Sequence, residues 1–195
     1  MRIAAHLNWI YSRQQVIHTL THLSFHQNLN RFREPDKQQK AMLKAMISDD
    51  TTYMALAVHT NKIVGYAIVL PPEKDERWRK LSYLRMLGVI EVAPDYRGHK
   101  IGQTLLHNLF KHEELENIIV VSLEYCWHWD LSMTNGDPFP YMHMLKHVLQ
   151  SSGFEEYETN EPDIACYDVN FLMARVGSRI TKEQLNTFKN LAKLY

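Results

Sequence analysis

The residues with the clearest chemical meaning lie between positions 92 and 106: Val92-Ala93-Pro94-Asp95-Tyr96-Arg97-Gly98-His99-Lys100-Ile101-Gly102-Gln103-Thr104-Leu105-Leu106. An apolar strand runs into a short turn with two glycines, and that turn opens a helix. Such a turn aims unpaired backbone N–H groups and the positive end of the helix at one point, which suits a phosphate. Gly98 and Gly102 allow a ligand close to the backbone, while Arg97, Lys100 and Thr104 add donors for phosphate oxygens. From these parts alone the segment is either a pyrophosphate site or an ordinary strand-to-helix turn. It is not a dinucleotide fingerprint, because the triple glycine after a first strand is absent. Nor is it a P-loop, because no Gly-Lys-Ser/Thr ends the turn.

Other reactive residue types offer less. Cys126 and His128 would share one face of a strand, but a covalent thiol mechanism needs a positioned base, and a buried structural thiol is the simpler reading. The neighbouring Trp127, Trp129 and Tyr125 suit either the wall of an acceptor pocket or plain core packing. His18, His22 and His26 recur every four residues, as do His143 and His147, yet no Cys, Asp or Glu joins them in a metal-holding pattern. No metal site is expected. The basic run Arg77-Trp78-Arg79-Lys80 is cancelled by Glu73, Asp75 and Glu76 beside it, and reads as a solvated loop.

These residues need elements to hold them. Residues 2–5 suit a short first strand, and 14–25 a helix with Val16, Ile17, Leu20, Leu23 and Phe25 along one stripe. A second helix starts near Pro35, burying Ala41, Met42, Ala45 and Met46. Residues 52–58 and 62–70 read as a strand pair joined by a tight turn at His59-Thr60-Asn61. A third strand covers 83–92 and is stopped by Pro94. An amphipathic helix follows over 101–115, then a buried strand over 118–125. A helix over 141–150 ends at Gly153. Residues 154–159 and 165–174 complete a final strand pair. Thr181 with Gln184 forms a capping box for a last helix whose apolar face carries Leu185, Phe188, Leu191 and Leu194.

In this setting the stretch from Leu87 to Leu106 resembles the acetyl-CoA-binding motif of the GNAT superfamily of N-acetyltransferases. There a strand ends in Val-x-Pro, a turn Arg/Gln-x-x-Gly-x-Gly/Ala follows, and a helix begins x-x-Leu-Leu. Weaker agreement extends over residues 2–174 through Gly65, Leu123-Glu124 and Gly153-Phe154. Three positions depart from the pattern. Lys100 stands where the family usually has its middle glycine, Leu149 where many members carry a Tyr that protonates the departing thiolate, and Met142 where an Asn often contacts the cofactor.

The resemblance implies an α/β (α+β) fold of the acyl-CoA N-acyltransferase type, with a mixed, mainly antiparallel central sheet of about seven strands flanked by helices. Residues 1–177 would form the acetyltransferase domain and 178–195 a helical extension, docked on the same chain or packed across a homodimer. The implied activity is transfer of an acetyl group from acetyl-CoA to an amine of a small molecule or polypeptide, by direct attack in a ternary complex. The donor would be held by Ile90 and Val92 of the strand and by Arg97, Gly98, His99, Lys100, Ile101, Gly102, Gln103 and Thr104 of the turn and helix. Glu124 resembles the Glu that some members use as base, with Glu91 second. Tyr125, Tyr141 and His128 are the candidate acids. The alternatives are a non-catalytic acyl-CoA-binding module of the same fold, or a pocket adapted to a longer acyl group.

Composition narrows the partners. Twenty-two Lys and Arg balance twenty-two Asp and Glu, so a general electrostatic grip on nucleic acid or anionic membrane is not expected. The longest apolar run, Ile63 to Leu70, has eight residues against the roughly twenty that a spanning helix needs. Two cysteines with no secretion signal fit free thiols in a reducing cytoplasm.

Overall fold

A computed structural model describes residues 6–29 and 34–193. The strand predicted at 2–5 lies outside the described residues. The strands follow the order β1-β3-β4-β5-β6-β8-β7, with β2 beside β4. These are β1 (Asn8–Ile10), β2 (Ser24–Phe25), β3 (Tyr53–His59), β4 (Lys62–Leu70), β5 (Leu84–Val92), β6 (Ile119–Glu124), β7 (Phe154–Glu156) and β8 (Phe171–Val176). The helices are α1 (Arg13–His22), α2 (Pro35–Ser48), α3 (Ile101–Leu109), α4 (Pro138–Gln150), α5 (Pro162–Ala165) and α6 (Lys182–Ala192). Pairing is antiparallel between β1 and β3, β3 and β4, β6 and β8, and β7 and β8, and parallel between β5 and β6. This is the mixed, mainly antiparallel sheet flanked by helices that the resemblance implied. Among the described residues no helix is long and apolar enough to cross a membrane.

The chain divides into two compact units, each with its own core. The first takes the chain up to Pro71 together with Leu87–Lys111. Its centre is the β3–β4 hairpin, buried on both faces, which is why both strands read as continuous apolar runs. Thr60 and Asn61 turn it with φ of +46° and +62°, the left-handed pair of a two-residue hairpin loop. Val16 and Leu20 of α1 and Met42 and Met46 of α2 pack on this hairpin. Arg13 ties α1 to the end of α2, donating to the carbonyls of Met46, Asp49 and Thr52. On β4, a Cβ added to Gly65 would sit 3.1 Å from the Glu91 carbonyl oxygen and 3.2 Å from Leu105 of α3. Glycine there lets α3 approach the strand.

The second unit takes Pro72–Met86 and the chain from His112 onward. Leu84–Met86 of β5 pair with β6, and β6 pairs along its length with β8, placing Glu124 opposite Phe171. Its core gathers Trp78, Ile119, Val121, Leu172, Phe188 and Leu191. Both hydrogen bonds of the capping box are present at Thr181 and Gln184, and α6 presses Phe188 against Trp78 and Tyr157.

Several boundaries differ from the sequence reading, each for a tertiary reason. Phe25 belongs to a strand because it pairs with Ile63, and β1 exists because it pairs with β3. Residues 73–80 are not simply a solvated loop: Arg77–Lys80 form a 3₁₀ turn whose Trp78 is 2% exposed. The helix predicted over 101–115 stops at Leu109. Apolar spacing missed the break because Leu115, in the following 3₁₀ turn, is buried as well. Cys126–His128 form a 3₁₀ turn rather than strand, so Cys126 and His128 do not share a strand face. Helix α4 starts at Pro138, capped by Asp137, three residues earlier than its apolar spacing indicated. The strand expected at 165–174 is shifted to Phe171–Val176, because Pro162 opens the short α5 first.

Candidate active site

In the first unit, β5 ends at Val92 and the chain is pinned at once: the Ala93 N–H donates to the Val64 carbonyl at 2.8 Å. Pro94–Tyr96 make a 3₁₀ turn, and Arg97 Nε folds back to donate to the Val92 carbonyl at 3.0 Å. That turn is gripped from two sides. Asn28 donates to Asp95 at 2.8 Å, His59 Nδ1 lies 2.9 Å from the Tyr96 hydroxyl, and His26 meets the Tyr96 ring edge-on. Gly98 follows with φ +80° and Lys100 with φ +59°. Nothing crowds a Cβ at Gly98, so its glycine serves the left-handed φ. Lys100 holds the same handedness with a full side chain, at a cost of roughly 1–2 kcal/mol.

Helix α3 begins immediately. Its first hydrogen bond runs from the Thr104 N–H to the Lys100 carbonyl at 3.0 Å. The N–H groups of Ile101, Gly102 and Gln103 precede that bond and have no intrahelical acceptor. Gly98, His99 and Lys100 are exposed beside them. The Thr104 hydroxyl is engaged with the Lys100 carbonyl at 3.1 Å and is therefore less available as a donor than its position suggested. Ile90 and Val92 are half-buried on β5. Glu91 between them accepts from the buried Tyr66 hydroxyl at 3.2 Å.

In the second unit, Glu124 closes β6. Ser122, two residues earlier and so on the same strand face, donates its hydroxyl to Glu124 Oε1 at 2.6 Å. Burial pushes the Glu124 carboxyl up to about 7, and the Ser122 hydroxyl and the Trp129 indole pull against that rise. Taken as a whole residue, Glu124 is half-buried. Trp129 is 6% exposed; it stacks on Tyr141 with centroids 5.2 Å apart and tilts over Phe171. Phe171 stands opposite Glu124 in the ladder, so Glu124 and Tyr141 are linked through the Phe171 and Trp129 rings.

Tyr125, the next residue along the chain, stacks on Trp127 at 5.1 Å, with His128 edge-on to it and Tyr167 beyond Trp127. Burial, then the charges of Glu161, Asp163 and Glu76, push its phenol up to about 12, with Arg77 opposing. A phenol that weak is poorly matched to a thiolate, whose conjugate thiol ionises near 8.5. Leu149, where the family's Tyr would stand, is fully buried in the core. Met142 is buried as well. Among the described residues no group of three His, Cys, Asp or Glu side chains could hold a metal ion.

Ser122 is the site residue that sequence reasoning passed over. Its signal was present: one polar residue inside an apolar strand, at the period-two position from Glu124.

The family model described as acetyltransferase (GNAT) family matches residues 17–126, which hold both the two-glycine turn and Glu124. This chain belongs to the GNAT family. As a GNAT protein it is an acyltransferase, and members of the family use acetyl-CoA as the acyl donor. This GNAT chain is 38% identical over 170 residues to the acetoin utilization protein AcuA of Bacillus subtilis, covering 86% of this chain and 80% of that one. Among solved structures it is similar to an acetoin utilization protein from Exiguobacterium sibiricum, with TM-score 0.86, 26% identity, and 96% and 95% of the two chains covered. The ribosomal-protein-S18-alanine N-acetyltransferase of Escherichia coli shares the fold, with TM-score 0.52 at 14% identity over 90% of this chain and 97% of that one.

Proposed function

We propose that this protein transfers an acetyl group from acetyl-CoA to the amine of a small molecule or polypeptide by direct attack, and that, like its relatives named for acetoin utilization, it serves that process. The observation that carries the reading is the turn over residues 97–104. Two left-handed residues turn the chain there, and the N–H groups of Ile101, Gly102 and Gln103 that follow precede the first intrahelical bond, beside Arg97 and Lys100. This is the donor set a pyrophosphate needs.

In the reaction, ionised Glu124 takes the proton of the acceptor amine. The amine nitrogen attacks the thioester carbonyl, whose oxygen is polarised by a backbone N–H at the end of β5. The tetrahedral intermediate then expels coenzyme A as a thiolate, forming the amide and breaking the C–S bond. Tyr141 is the proton donor assigned to that thiolate, since it shares Trp129 with Glu124. A reducing, cytoplasmic setting belongs to the same reading, supported by the free thiols of Cys126 and Cys166.

Calorimetry with acetyl-CoA, followed by detection of free thiol against a panel of amines, tests it. Binding together with amine-dependent thiol release is expected. Gly102→Val should weaken binding about tenfold by crowding the pyrophosphate. Absence of binding at millimolar acetyl-CoA would overturn the reading, and binding without thiol release from any amine would leave a sensor rather than a catalyst.

A further inference from the structure

We propose that the indole N–H of Trp129 is the second hydrogen-bond donor to Glu124, recruited when the carboxyl loses its proton, and that Trp129 is thereby a positioning residue for the base. The inference rests on the reading of Glu124 as the proton acceptor. It starts from a buried donor: Trp129 is 6% exposed, and among the described residues its Nε1 meets no acceptor with the geometry of a hydrogen bond. A buried N–H without a partner is costly and uncommon, and it marks a place where a partner is needed in some state of the molecule.

The surroundings identify that partner. Phe171 stands opposite Glu124 in the β6–β8 ladder, and the Trp129 ring lies over Phe171 with centroids 6.1 Å apart. Tyr141 stacks on the same indole with centroids 5.2 Å apart, which holds the plane of the ring. Glu124 has one donor already, the Ser122 hydroxyl at 2.6 Å on Oε1. A neutral carboxyl is content with that contact. A carboxylate has room for several donors and, buried, needs more than one.

The charged and titratable groups around the cluster are otherwise occupied. Asp130 takes the Ser132 N–H, and Lys146 lies over the Phe171 ring while pairing with Glu156 at 2.8 Å. Tyr141 is stacked on Trp129. No neighbouring charge acts on Glu124: burial raises its proton affinity and hydrogen bonding opposes that rise, so removing a donor to the carboxylate must raise it further.

The test uses the full chain labelled with ¹⁵N, following the indole signals of its four tryptophans from pH 5.5 to 8.5. The Trp129 signal should move downfield with a midpoint near 7 in the native sequence and stay still in Glu124→Gln. In turnover, Trp129→Phe keeps the ring stack but not the N–H. It should move the rise of kcat with pH upward by about one unit while leaving KM for acetyl-CoA unchanged within about twofold. A Trp129 signal that does not titrate in the native sequence overturns the proposal even if Glu124→Gln abolishes turnover. A signal that titrates only when Glu124 is present, in a protein whose Glu124→Gln variant remains fully active, upholds the Trp129 contact and removes Glu124 as the base. The spectroscopic arm does not depend on the folding of Trp129→Phe.

Discussion

As the proposed base, Glu124 must satisfy two demands that pull against each other. A base that takes a proton from an amine must be ionised in working conditions, yet it is more effective when withdrawn from water. Burial raises the carboxyl to about 7, and the Ser122 hydroxyl keeps it from rising further. The sign of the resulting pH dependence follows. The ionised fraction grows as pH rises through about 7, so kcat/KM should climb over that range and then level. Stability runs the other way: a carboxyl whose folded value lies above its unfolded 4.5 contributes most below that pH, and the contribution is lost as pH rises through 7. Glu124→Gln should lower turnover roughly 10²-fold with acetyl-CoA affinity intact, and should abolish the ascending limb. A pH–rate profile of the variant checks this; near-normal rates at neutral pH would move the proton to Glu91 or to water.

At the scale of elements, the telling feature is the entry to α3. A helix N-terminus can be left open to an anion only if the preceding chain turns sharply, and here Gly98 and Lys100 both adopt left-handed backbone to do so. The family's usual glycine at the second of these positions is explained by that conformation, and Lys100 bears it with strain. Lys100→Gly should therefore stabilise the protein by about 1 kcal/mol, the relief of strain being partly offset by the greater freedom of glycine in the unfolded chain. The melting temperature should rise by about 2–4 °C. A fall would show that the lysine side chain contributes more than its backbone costs.

At the scale of the whole molecule, each unit is closed by contacts between residues far apart in sequence. In the second unit, Trp78 from before β5, Tyr157 from after β7 and Phe188 from α6 meet in one aromatic group. Arg77 beside it reaches Thr159 and Glu161, and Asn160 donates to the carbonyl of Lys193. Thus Phe188, Leu191 and Ala192 of α6 are buried against their own chain. Phe188→Ala should cost about 3–5 kcal/mol, because Phe188 is fully buried and its neighbours are held from several sides. The melting temperature followed by circular dichroism should fall by about 10 °C. An unchanged melting curve would show that α6 carries little of the unit's stability.

How much of this was legible in the sequence depends on the range over which each signal acts. The hairpin turn at Thr60-Asn61, the cap at Thr181 with Gln184, the left-handed Gly153 and the strand-to-helix turn over residues 92–104 are written within a few neighbouring residues. Their geometry is local, so they were readable. Glu124 is singled out through its resemblance to the Glu that some family members use as base. What only the tertiary structure decided involves partners distant along the chain. Trp78 lies among Arg77, Arg79 and Lys80, which look like solvent from the sequence, but Glu161 takes Arg77 and α6 covers the ring. Tyr125 and Tyr141 look equivalent in the sequence, whereas in the fold Tyr125 stacks on Trp127 and Tyr141 on Trp129. The short strands β1 and β2 exist through pairing alone, since two or three residues hold no periodicity. Local signals determine which elements form, whereas the environment of each reactive side chain is set by residues that only folding brings near it.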